Sequence, residues 1–284
     1  MITASSPSTP SAPAPELPVT LLVIARNEAA VIGRCLDSVP FAAEKLVVDA
    51  GSTDGTPEIA ARHGARVVHQ DWLGFGPQRN FATTQARYDW IIALDADEAF
   101  TPELVREMER RLPALLRSDC AGAVLRRRTW FMGAPMRWYR PMIGERVERL
   151  YHRERARWTD ARVHESLRFN GAVEEFRQPF VHRNNPTLVH KQLKTLCYAE
   201  LKGRDWFDRG QPVRMWMTPL VYLAAFAKDY LLRLAFLDGW RGWIISQIAA
   251  SYAVYKRMRY YEMRRDPESR TLAAEHLRRH GLDA

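Results

Sequence analysis

Two aspartates separated by one residue, Asp95 and Asp97, are the residues of this sequence best suited to hold a divalent cation. They follow the apolar run 90–94, which predicts a short buried strand. Two carboxylates that converge at the end of a strand can share one hard cation, Mg²⁺ or Mn²⁺, and leave coordination positions open for phosphate oxygens. A solvated acidic loop is the alternative for the triplet alone, and a second acidic loop after an earlier strand strengthens the metal interpretation.

Strand and helix signals alternate through the first half of the chain. Short apolar runs at 19–25, 46–48 and 90–94 predict buried strands, and residues 66–68 open a further strand. Helical spacing at 28–39 and Thr-Pro-Glu helix starts at 56–58 and 101–103 separate them. This order predicts an α/β fold with a mainly parallel sheet flanked by helices. Ligands bind beyond the carboxyl ends of such strands, which here carry the loops 26–28, 49–54 and 95–98.

Composition narrows the class of protein. With 284 residues and 46% hydrophobic content, the chain is neither disordered throughout nor fibrous. A net charge of +9 favours anionic partners. Three widely separated cysteines form neither a disulfide framework nor a paired zinc motif, which favours a reducing compartment such as the cytoplasm. The N-terminal residues lack the features of a signal peptide, and no apolar run reaches the ~18 residues of a spanning helix.

Five sequence blocks resemble a known enzyme family. The blocks V-I-A-R-N-E at 23–28, V-V-D-A-G-S-T-D-G-T at 47–56 and D-A-D-E at 95–98 are similar to those of family 2 glycosyltransferases, which have the GT-A fold. The blocks W-L-G-F-G-P-Q-R-N at 72–80 and R-V-H-E at 162–165 resemble a bacterial subgroup that includes lipopolysaccharide-core β-1,4-glucosyltransferases. The resemblance extends over about residues 19–167. It implies a Rossmann-like sheet and inverting transfer from a nucleotide-sugar.

The resemblance also implies roles for the matched residues. Asp95 and Asp97 would hold the metal, and Glu165 would be the general base that takes the proton of the acceptor hydroxyl. Asp49 would accept from the nucleobase, although many relatives carry a second aspartate where this chain has Ala50. His164 would ligate the metal, contact diphosphate or orient Glu165. The residues expected to border the nucleotide or its diphosphate are Ala25, Arg26, Glu28, Asp49, Asp54, Gln78, Arg79, Asn80, Asp95, Ala96 and His164.

Several of these residues have a structural alternative. Asp54 lies in a D-G-T turn, where Asp and Gly stabilise the turn without a ligand. Arg79 either pairs with diphosphate or base or is a surface arginine at a helix start. Trp72 is expected to pack rather than to stack on a ligand. The arginines Arg146 and Arg149 and those within 153–162 either face an anionic acceptor together or are individually solvated.

The second half of the chain differs in composition. Residues 126–183 are crowded with arginines and aromatics, which we interpret as short strands and long loops. Helical periodicity returns past Leu188, with tryptophan and arginine interleaved. These helices either lie in a membrane interface or form a cap or dimer contact. The predicted organisation is a disordered tail at 1–18, a GT-A catalytic domain at 19–187 with a nucleotide-sugar half at about 19–120 and an acceptor half at about 121–187, and a helical region at 188–284.

The predicted function is metal-dependent inverting transfer of a hexose, with glucose expected, from a nucleotide-diphosphate sugar. Mn²⁺ or Mg²⁺ and a UDP-sugar are the expected cofactors. The expected acceptor is an anionic glycolipid of lipopolysaccharide core assembly, at the inner face of the cytoplasmic membrane, to which the protein would bind peripherally from the cytoplasm. Transfer to a polyprenyl phosphate is the close alternative. A nucleic-acid-binding protein is the alternative from another class, and the acidic loops disfavour nucleic acid as a partner.

Overall fold

The structure, a computed structural model, describes residues 16–159, 166–183 and 187–279. The described chain divides into two compact units. The first contains the residues up to Arg126 together with Arg146–Phe180, and the second contains Arg127–Glu145 together with the residues from Val181 onward. Residues 160–165, which contain the predicted base Glu165 and its neighbour His164, lie outside the described part. So do residues 1–15 of the tail predicted at 1–18, whereas Leu17 and Pro18 already belong to the first strand, so the tail was predicted too long.

The strands are β1 Leu17–Ala25, β2 Ala42–Asp49, β3 Arg66–His69, β4 Trp90–Asp95, β5 Glu98–Phe100, β6 Gly122–Phe131, β7 Ala134–Pro135, β8 Glu145–His152, β9 Ala156–Trp158, β10 Leu167–Phe169 and β11 Val173–His182. The α-helices are α1 Ile32–Asp37, α2 Thr56–Arg62, α3 Phe75–Gln85, α4 Pro102–Leu115, α5 Leu188–Asp208, α6 Thr218–Ala227, α7 Trp240–Arg265 and α8 Ser269–Arg279. Short 3₁₀ turns lie at Arg140–Met142, Met215–Met217 and Ala235–Asp238, and a π-helical turn spans Lys228–Leu232.

In the described residues, nine strands form one mixed sheet in the order β3-β2-β1-β4-β8-β6-β11-β5, with β7 beside β6. The half that contains β3, β2, β1 and β4 is parallel, and β8 then runs antiparallel to β4. The strands β9 and β10 form a separate antiparallel pair. The predicted α/β GT-A class, a Rossmann-like sheet flanked by helices and followed by a helical region, is confirmed.

The residues of β1 explain why its sequence is continuously apolar. Val19, Leu21 and Val23 belong to one buried cluster, which includes side chains of α1 and α4. Leu22 and Ile24 belong to a second cluster, which includes residues of α3. Because successive side chains of a strand point to opposite faces, β1 contributes to the core on both sides of the sheet. Burial of each large aliphatic side chain contributes about 1.5–3 kcal/mol.

The prediction of short strands and long loops at 126–183 was wrong. β6 and β11 are each ten residues long, and β8 has eight residues. The arginines that suggested loops project from these strands and form ion pairs. Arg126 on β6 pairs with Glu175 on the neighbouring β11 at 2.9 Å, and Arg127 pairs with Glu145 on β8. Opposite charges on neighbouring strands stabilise the sheet. An arginine-rich composition by itself does not indicate such strands.

Within the second unit, Asp238 holds the segment that precedes β8. Its carboxylate accepts hydrogen bonds from three consecutive backbone N–H groups, those of Arg137 (2.9 Å), Trp138 (3.0 Å) and Tyr139 (2.8 Å). The Tyr139 hydroxyl donates to Asp229 at 2.7 Å, and Tyr139 itself packs with Ile245 and other residues of a separate core. Residues 127–145 are thereby fixed to the C-terminal helices. The predicted helical character past Leu188 is present in α5 to α8.

Glu44, on β2, connects three parts of the first unit. Its buried carboxylate accepts from the Thr20 hydroxyl (2.7 Å) and the Arg87 backbone N–H (2.6 Å), and it pairs with Arg66 (2.7 Å). Burial alone would raise the pKa of this carboxyl, but the three donors outweigh burial and hold the pKa below the usual value of 4.5. The ionised form therefore stabilises the fold.

We expect Glu44→Gln to lower the free energy of unfolding by about 1–3 kcal/mol near neutral pH, because an amide cannot accept all the hydrogen bonds that the carboxylate accepts. Because the pKa is lower in the folded chain than in the unfolded chain, this contribution is present above pH 4.5 and is lost as the pH falls through the folded-state pKa. Urea unfolding at a series of pH values measures both effects. A difference between the two proteins that does not shrink in acid would contradict the assignment.

Candidate active site

The loops that follow β1 and β2 are bound to each other at the carboxyl edge of the parallel strands. Asn27 has a left-handed backbone conformation (φ 58°), and its side-chain oxygen accepts from the Thr53 N–H at 2.9 Å. The Asn27 N–H donates to the Ser52 hydroxyl at 2.8 Å, and the Glu28 N–H donates to the Thr56 hydroxyl at 2.8 Å. The predicted residue Arg26 is exposed beside this junction, and Ala25 is buried at the end of β1.

Asp49 is buried at the end of β2 and shapes its own loop. One carboxylate oxygen accepts from the N–H groups of Gly51 (3.0 Å) and Ser52 (2.9 Å), and the other accepts from the Ser52 hydroxyl. A carboxylate has about four lone-pair sites, so these bonds leave capacity for one further donor. The predicted contact to a nucleobase is compatible with this geometry and stays a prediction.

Asp54 has the contacts of a turn residue that also binds a second loop. Its carboxylate accepts from the backbone N–H of Ala29 (3.0 Å) and from the backbone N–H (3.1 Å) and hydroxyl of Thr56. The hydrogen bond from the Thr56 hydroxyl is the main reason that the pKa of Asp54 lies below its usual value. Asp54 therefore joins the loops after β1 and β2, which is the structural alternative that its D-G-T turn suggested.

Helix α3 carries three predicted residues that make different contacts. The Gln78 side chain is fully buried, accepts from the Leu73 N–H (3.2 Å) and donates to the Gln70 carbonyl (3.1 Å), so it closes the loop before the helix. The surface alternative for Arg79 was wrong, because this residue is 3% exposed. Its guanidinium donates to Asp95 at 2.6 Å and lies 4.6 Å from the centre of the Trp158 ring. Trp72 is 43% exposed and packs edge-on against Phe75, with the ring centres 4.9 Å apart. That it does not stack on a ligand stays a prediction.

Asp95 is part of a buried ionic network. Arg79 donates to one carboxylate oxygen of Asp95, and Arg149 donates to the other at 2.9 Å. The fully buried Glu98 accepts from Arg149 Nε (2.9 Å) and Nη2 (2.8 Å), and from the Asp95 N–H (3.1 Å). Each of the two guanidinium groups thus contacts at least one carboxylate. Bidentate pairing of this kind provides acceptors for the N–H groups of an arginine that has been removed from water.

Asp97 follows this network and is half-buried, while Ala96 between the two aspartates is buried. Within the described residues, no group of three or more His, Cys, Asp or Glu side chains is arranged to hold a metal ion. A site of one or two carboxylates is nevertheless what Mg²⁺ uses when substrate phosphates and water complete its coordination. The donor set therefore fits a divalent cation that binds together with a diphosphate.

The predicted base Glu165 and its neighbour His164 lie outside the described residues. The residues that flank this segment are held together, because the Thr159 N–H donates to the Ser166 carbonyl (3.0 Å) and the Ser166 N–H donates to the Thr159 hydroxyl (3.1 Å). Asn80 on α3 bonds both the carbonyl (2.9 Å) and the N–H (3.1 Å) of Trp158. Asn80 therefore fixes β9, the strand that leads into residues 160–165.

Three of the arginines on β8 and in the following turn, for which an anionic acceptor or the solvent was considered, instead bind groups of the protein itself. Arg149 is buried in the ionic network described above. Arg153 donates to the backbone carbonyls of Ala86 and Tyr88, and Arg155 donates to those of Ser118 and Cys120. Their charges hold neighbouring loops of the first unit. Sequence analysis missed Asn27 and Glu98 as site-forming residues, although both lie within the matched blocks.

Comparison with known proteins shows the family to which the chain belongs. The chain belongs to glycosyl transferase family 2, whose model matches residues 20–172. It is 30% identical over 265 residues to the lipopolysaccharide core biosynthesis glycosyltransferase LpsC of Rhizobium meliloti (strain 1021), covering 87% of this chain and 93% of that protein. It is 28% identical over 245 residues to an uncharacterized glycosyltransferase of Rickettsia bellii (strain RML369-C), covering 82% of each chain.

Solved structures with similarity to the chain include S. aureus TarS 1–349, at 13% identity and a TM-score of 0.44, covering 88% of this chain and 92% of that one. Another is glucosyl-3-phosphoglycerate synthase from Mycobacterium tuberculosis in complex with Mn²⁺, UDP and glucosyl-3-phosphoglycerate, at 20% identity and a TM-score of 0.39, covering 59% and 72%. Family membership establishes the class of enzyme, a glycosyltransferase, and confirms the predicted resemblance.

We expect Arg149→Met to lower the free energy of unfolding by about 3–5 kcal/mol, because Glu98 would remain buried with its charge uncompensated. Arg146→Met is the matched control, since Arg146 is exposed, lies on the same strand and pairs with Glu175 at 2.8 Å. Its loss should stay within about 1 kcal/mol. Chemical denaturation measures both, and equal losses would contradict the structural role of Arg149.

Proposed function

We propose that this protein is a metal-dependent, inverting hexosyltransferase that moves a hexose, with glucose as the first candidate, from a UDP-sugar to an anionic glycolipid of lipopolysaccharide core assembly. The observation that carries this proposal is the position of Asp97. Asp97 comes two residues after Asp95, which an ionic network holds in place. Both residues lie at the carboxyl edge of the parallel half of the sheet. Ligands of such sheets bind at that edge.

The donor would bind over the joined loops after β1 and β2. Asp49, already oriented by its own loop, has capacity to accept from the imide N–H of a uracil. The loop residues Ala25, Arg26 and Glu28 would border the nucleotide on its other side. The joined loops are pre-ordered by the bonds of Asn27 and Asp54, so the entropic cost of ordering them on binding is reduced.

Asp97 is the carboxylate that we assign to the metal. Asp95 was predicted as a second ligand, but two guanidinium groups already contact its two oxygens, so we assign it the role of anchoring the loop. When bound, a divalent cation would supply charge neutralisation for the diphosphate leaving group. The protein's own contribution is to present Asp97 on a backbone that Glu98 and Arg149 fix.

Inversion requires a single displacement at the anomeric carbon. The acceptor hydroxyl oxygen forms the new bond, the bond to the diphosphate oxygen breaks, and a carboxylate takes the hydroxyl proton. We assign this proton transfer to Glu165. His164 would orient that carboxylate or contact the diphosphate. Asn80 and Arg79, which both contact Trp158, would position the strand that leads to them.

The proposed acceptor is supported by similarity to LpsC over most of both chains. The C-terminal helices offer a reason for a lipid-linked acceptor. Within the described part of the chain, no helix has the length and apolar character that crossing a bilayer demands. Yet residues 216–243, hereafter the apolar segment, expose large hydrophobic side chains, among them Trp216 (70%), Leu232 (72%) and Trp240 (77%). Exposed apolar surface of this extent marks an interaction site.

We propose that the apolar segment lies in the membrane interface at the inner face of the cytoplasmic membrane. Basic residues accompany it in sequence, namely Arg214, Lys228, Arg233 and Arg241. Tryptophan and leucine enter the headgroup region while such cations meet anionic lipid. Peripheral binding would bring the enzyme to a lipid-linked acceptor without a spanning helix.

We expect Glu165→Gln to lower turnover by about 10²–10⁴-fold, because the amide keeps the shape of the side chain but cannot take the proton. Affinity for UDP and metal should be unchanged. Glu154→Gln is the control and should keep wild-type turnover, because Glu154 is an exposed carboxylate in the turn between β8 and β9. UDP release from UDP-glucose with lipid extracts as acceptor provides the measurement. Full turnover in Glu165→Gln would move the base elsewhere, with Asp160 to be tested next.

We expect replacement of both Trp216 and Trp240 by serine to weaken binding to phosphatidylglycerol vesicles by about tenfold or more, because burial of such side chains contributes more than 1.4 kcal/mol. Tyr261→Ser, an exposed aromatic at the far end of α7, serves as the control. Sedimentation with vesicles measures the bound fraction. If the wild-type protein does not bind even at low salt, the apolar segment is a cap or a dimer surface instead.

A further inference from the structure

The second unit contains a cavity of about 340 Å³ between residues 139–142, α5 and α7. This volume is within the range of sites that bind small molecules. Its walls are mainly apolar and include Met142, Ile245 and Ile248, and the two isoleucines are buried core residues of this unit. A cavity whose walls belong to a packed core is formed before any ligand arrives.

One ammonium group interrupts the apolar walls. Among the described residues that line the cavity, Lys191 is the one charged side chain, and none of the lining residues is acidic. Lys191 is half-buried, and no hydrogen-bond acceptor or carboxylate pairs with its ammonium in the described part of the chain. Burial, followed by repulsion from Lys194, lowers the pKa of Lys191. An ammonium in a partly desolvated wall is stabilised by an anion.

Two of the hydroxyls in the lining are already used, and the lining also includes Tyr198 and Tyr252. The Tyr139 hydroxyl donates to Asp229, and the Thr195 hydroxyl donates to the Lys191 carbonyl at 2.8 Å. The cavity therefore offers a ligand mainly an extended apolar wall and one cation. An anionic amphiphile matches both features.

We propose that this cavity binds a single-chain lipid with an anionic head group, a phosphate or carboxylate, which pairs with Lys191 while the hydrocarbon chain packs on Ile245, Ile248 and Met142. The site lies wholly within the second unit and uses none of the residues assigned to glycosyl transfer. Its existence does not depend on the proposed function.

The test is calorimetric titration of the full chain with three probes, each below the concentration at which it forms micelles. Dodecyl phosphate carries both features, dodecanol carries the chain alone, and inorganic phosphate carries the head alone. We expect dodecyl phosphate to bind more tightly than either of the others. Failure of dodecyl phosphate to bind, or binding no tighter than dodecanol, would overturn the proposal.

Substitutions identify the side chains that contact the head group and the hydrocarbon chain of the ligand. Lys191→Met should weaken dodecyl phosphate binding by about tenfold and leave dodecanol binding unchanged, since one charge-assisted hydrogen bond is lost. Lys194→Met is the matched control, because Lys194 lies one turn along α5 and does not line the cavity. Ala249→Phe, which would fill the cavity, should weaken both amphiphiles. Equal losses in the two lysine variants, or none in Lys191→Met, would overturn the assignment.

Turnover with acylated and deacylated acceptors identifies the source of the lipid. This experiment rests on the proposed function, whereas the titrations above do not. If the ligand is the lipid part of the acceptor, Ala249→Phe should lower turnover with an acylated acceptor and not with its deacylated form. If the ligand is a membrane lipid, turnover with both acceptors should match the wild type in solution while vesicle binding falls. Both results support a lipid site, and loss of turnover with the deacylated form as well would contradict it.

Discussion

The pairing of Arg149 with Asp95 and Glu98 is the interaction on which the candidate active site depends. A guanidinium that is removed from water must be neutralised, and here two carboxylates on neighbouring elements neutralise it. Arg149 lies on β8, the strand that pairs antiparallel with β4, so the ion pair joins the two halves of the sheet where the parallel half ends. Glu98 also accepts from the backbone N–H of Asp95. The backbone that carries Asp97 is therefore fixed from both sides by the same network.

Helix α3 connects this network to the segment that carries the proposed base. Arg79 reaches Asp95 on one side and lies over Trp158 on the other, and the next residue, Asn80, bonds the backbone of Trp158. A shift of α3 would therefore move the metal-side carboxylates and the approach to residues 160–165 together. The contacts of α3 also account for its two adjacent buried polar residues, Gln78 and Arg79, in a helix of low amphipathic character. Both side chains are satisfied by loop and strand partners rather than by solvent.

The sequence predicts the parallel half of the sheet well and the rest poorly, for a physical reason. Segments buried on both faces are mostly apolar, so β1, the second half of β2 and β4 are visible as short apolar runs. β6 and β11 instead carry charges that pair across strands, and such pairs depend on which strands are neighbours, which local composition does not reveal. The same limit applies to the site. The position of Asp95 and Asp97 follows from the strand order. The partners of Arg149 and the bond from Asp54 to the loop after β1 depend on contacts between distant parts of the chain.

The central claim is that Asp97 links a divalent cation to the diphosphate while Asp95 anchors the loop. The most direct test is the affinity of UDP for the wild-type protein and for Asp97→Asn, measured with and without Mn²⁺. We predict that Mn²⁺ strengthens UDP binding to the wild type, and that Asp97→Asn loses this gain while its metal-free affinity and melting temperature stay unchanged. A folded Asp97→Asn protein that retains the full Mn²⁺-dependent gain would contradict the account.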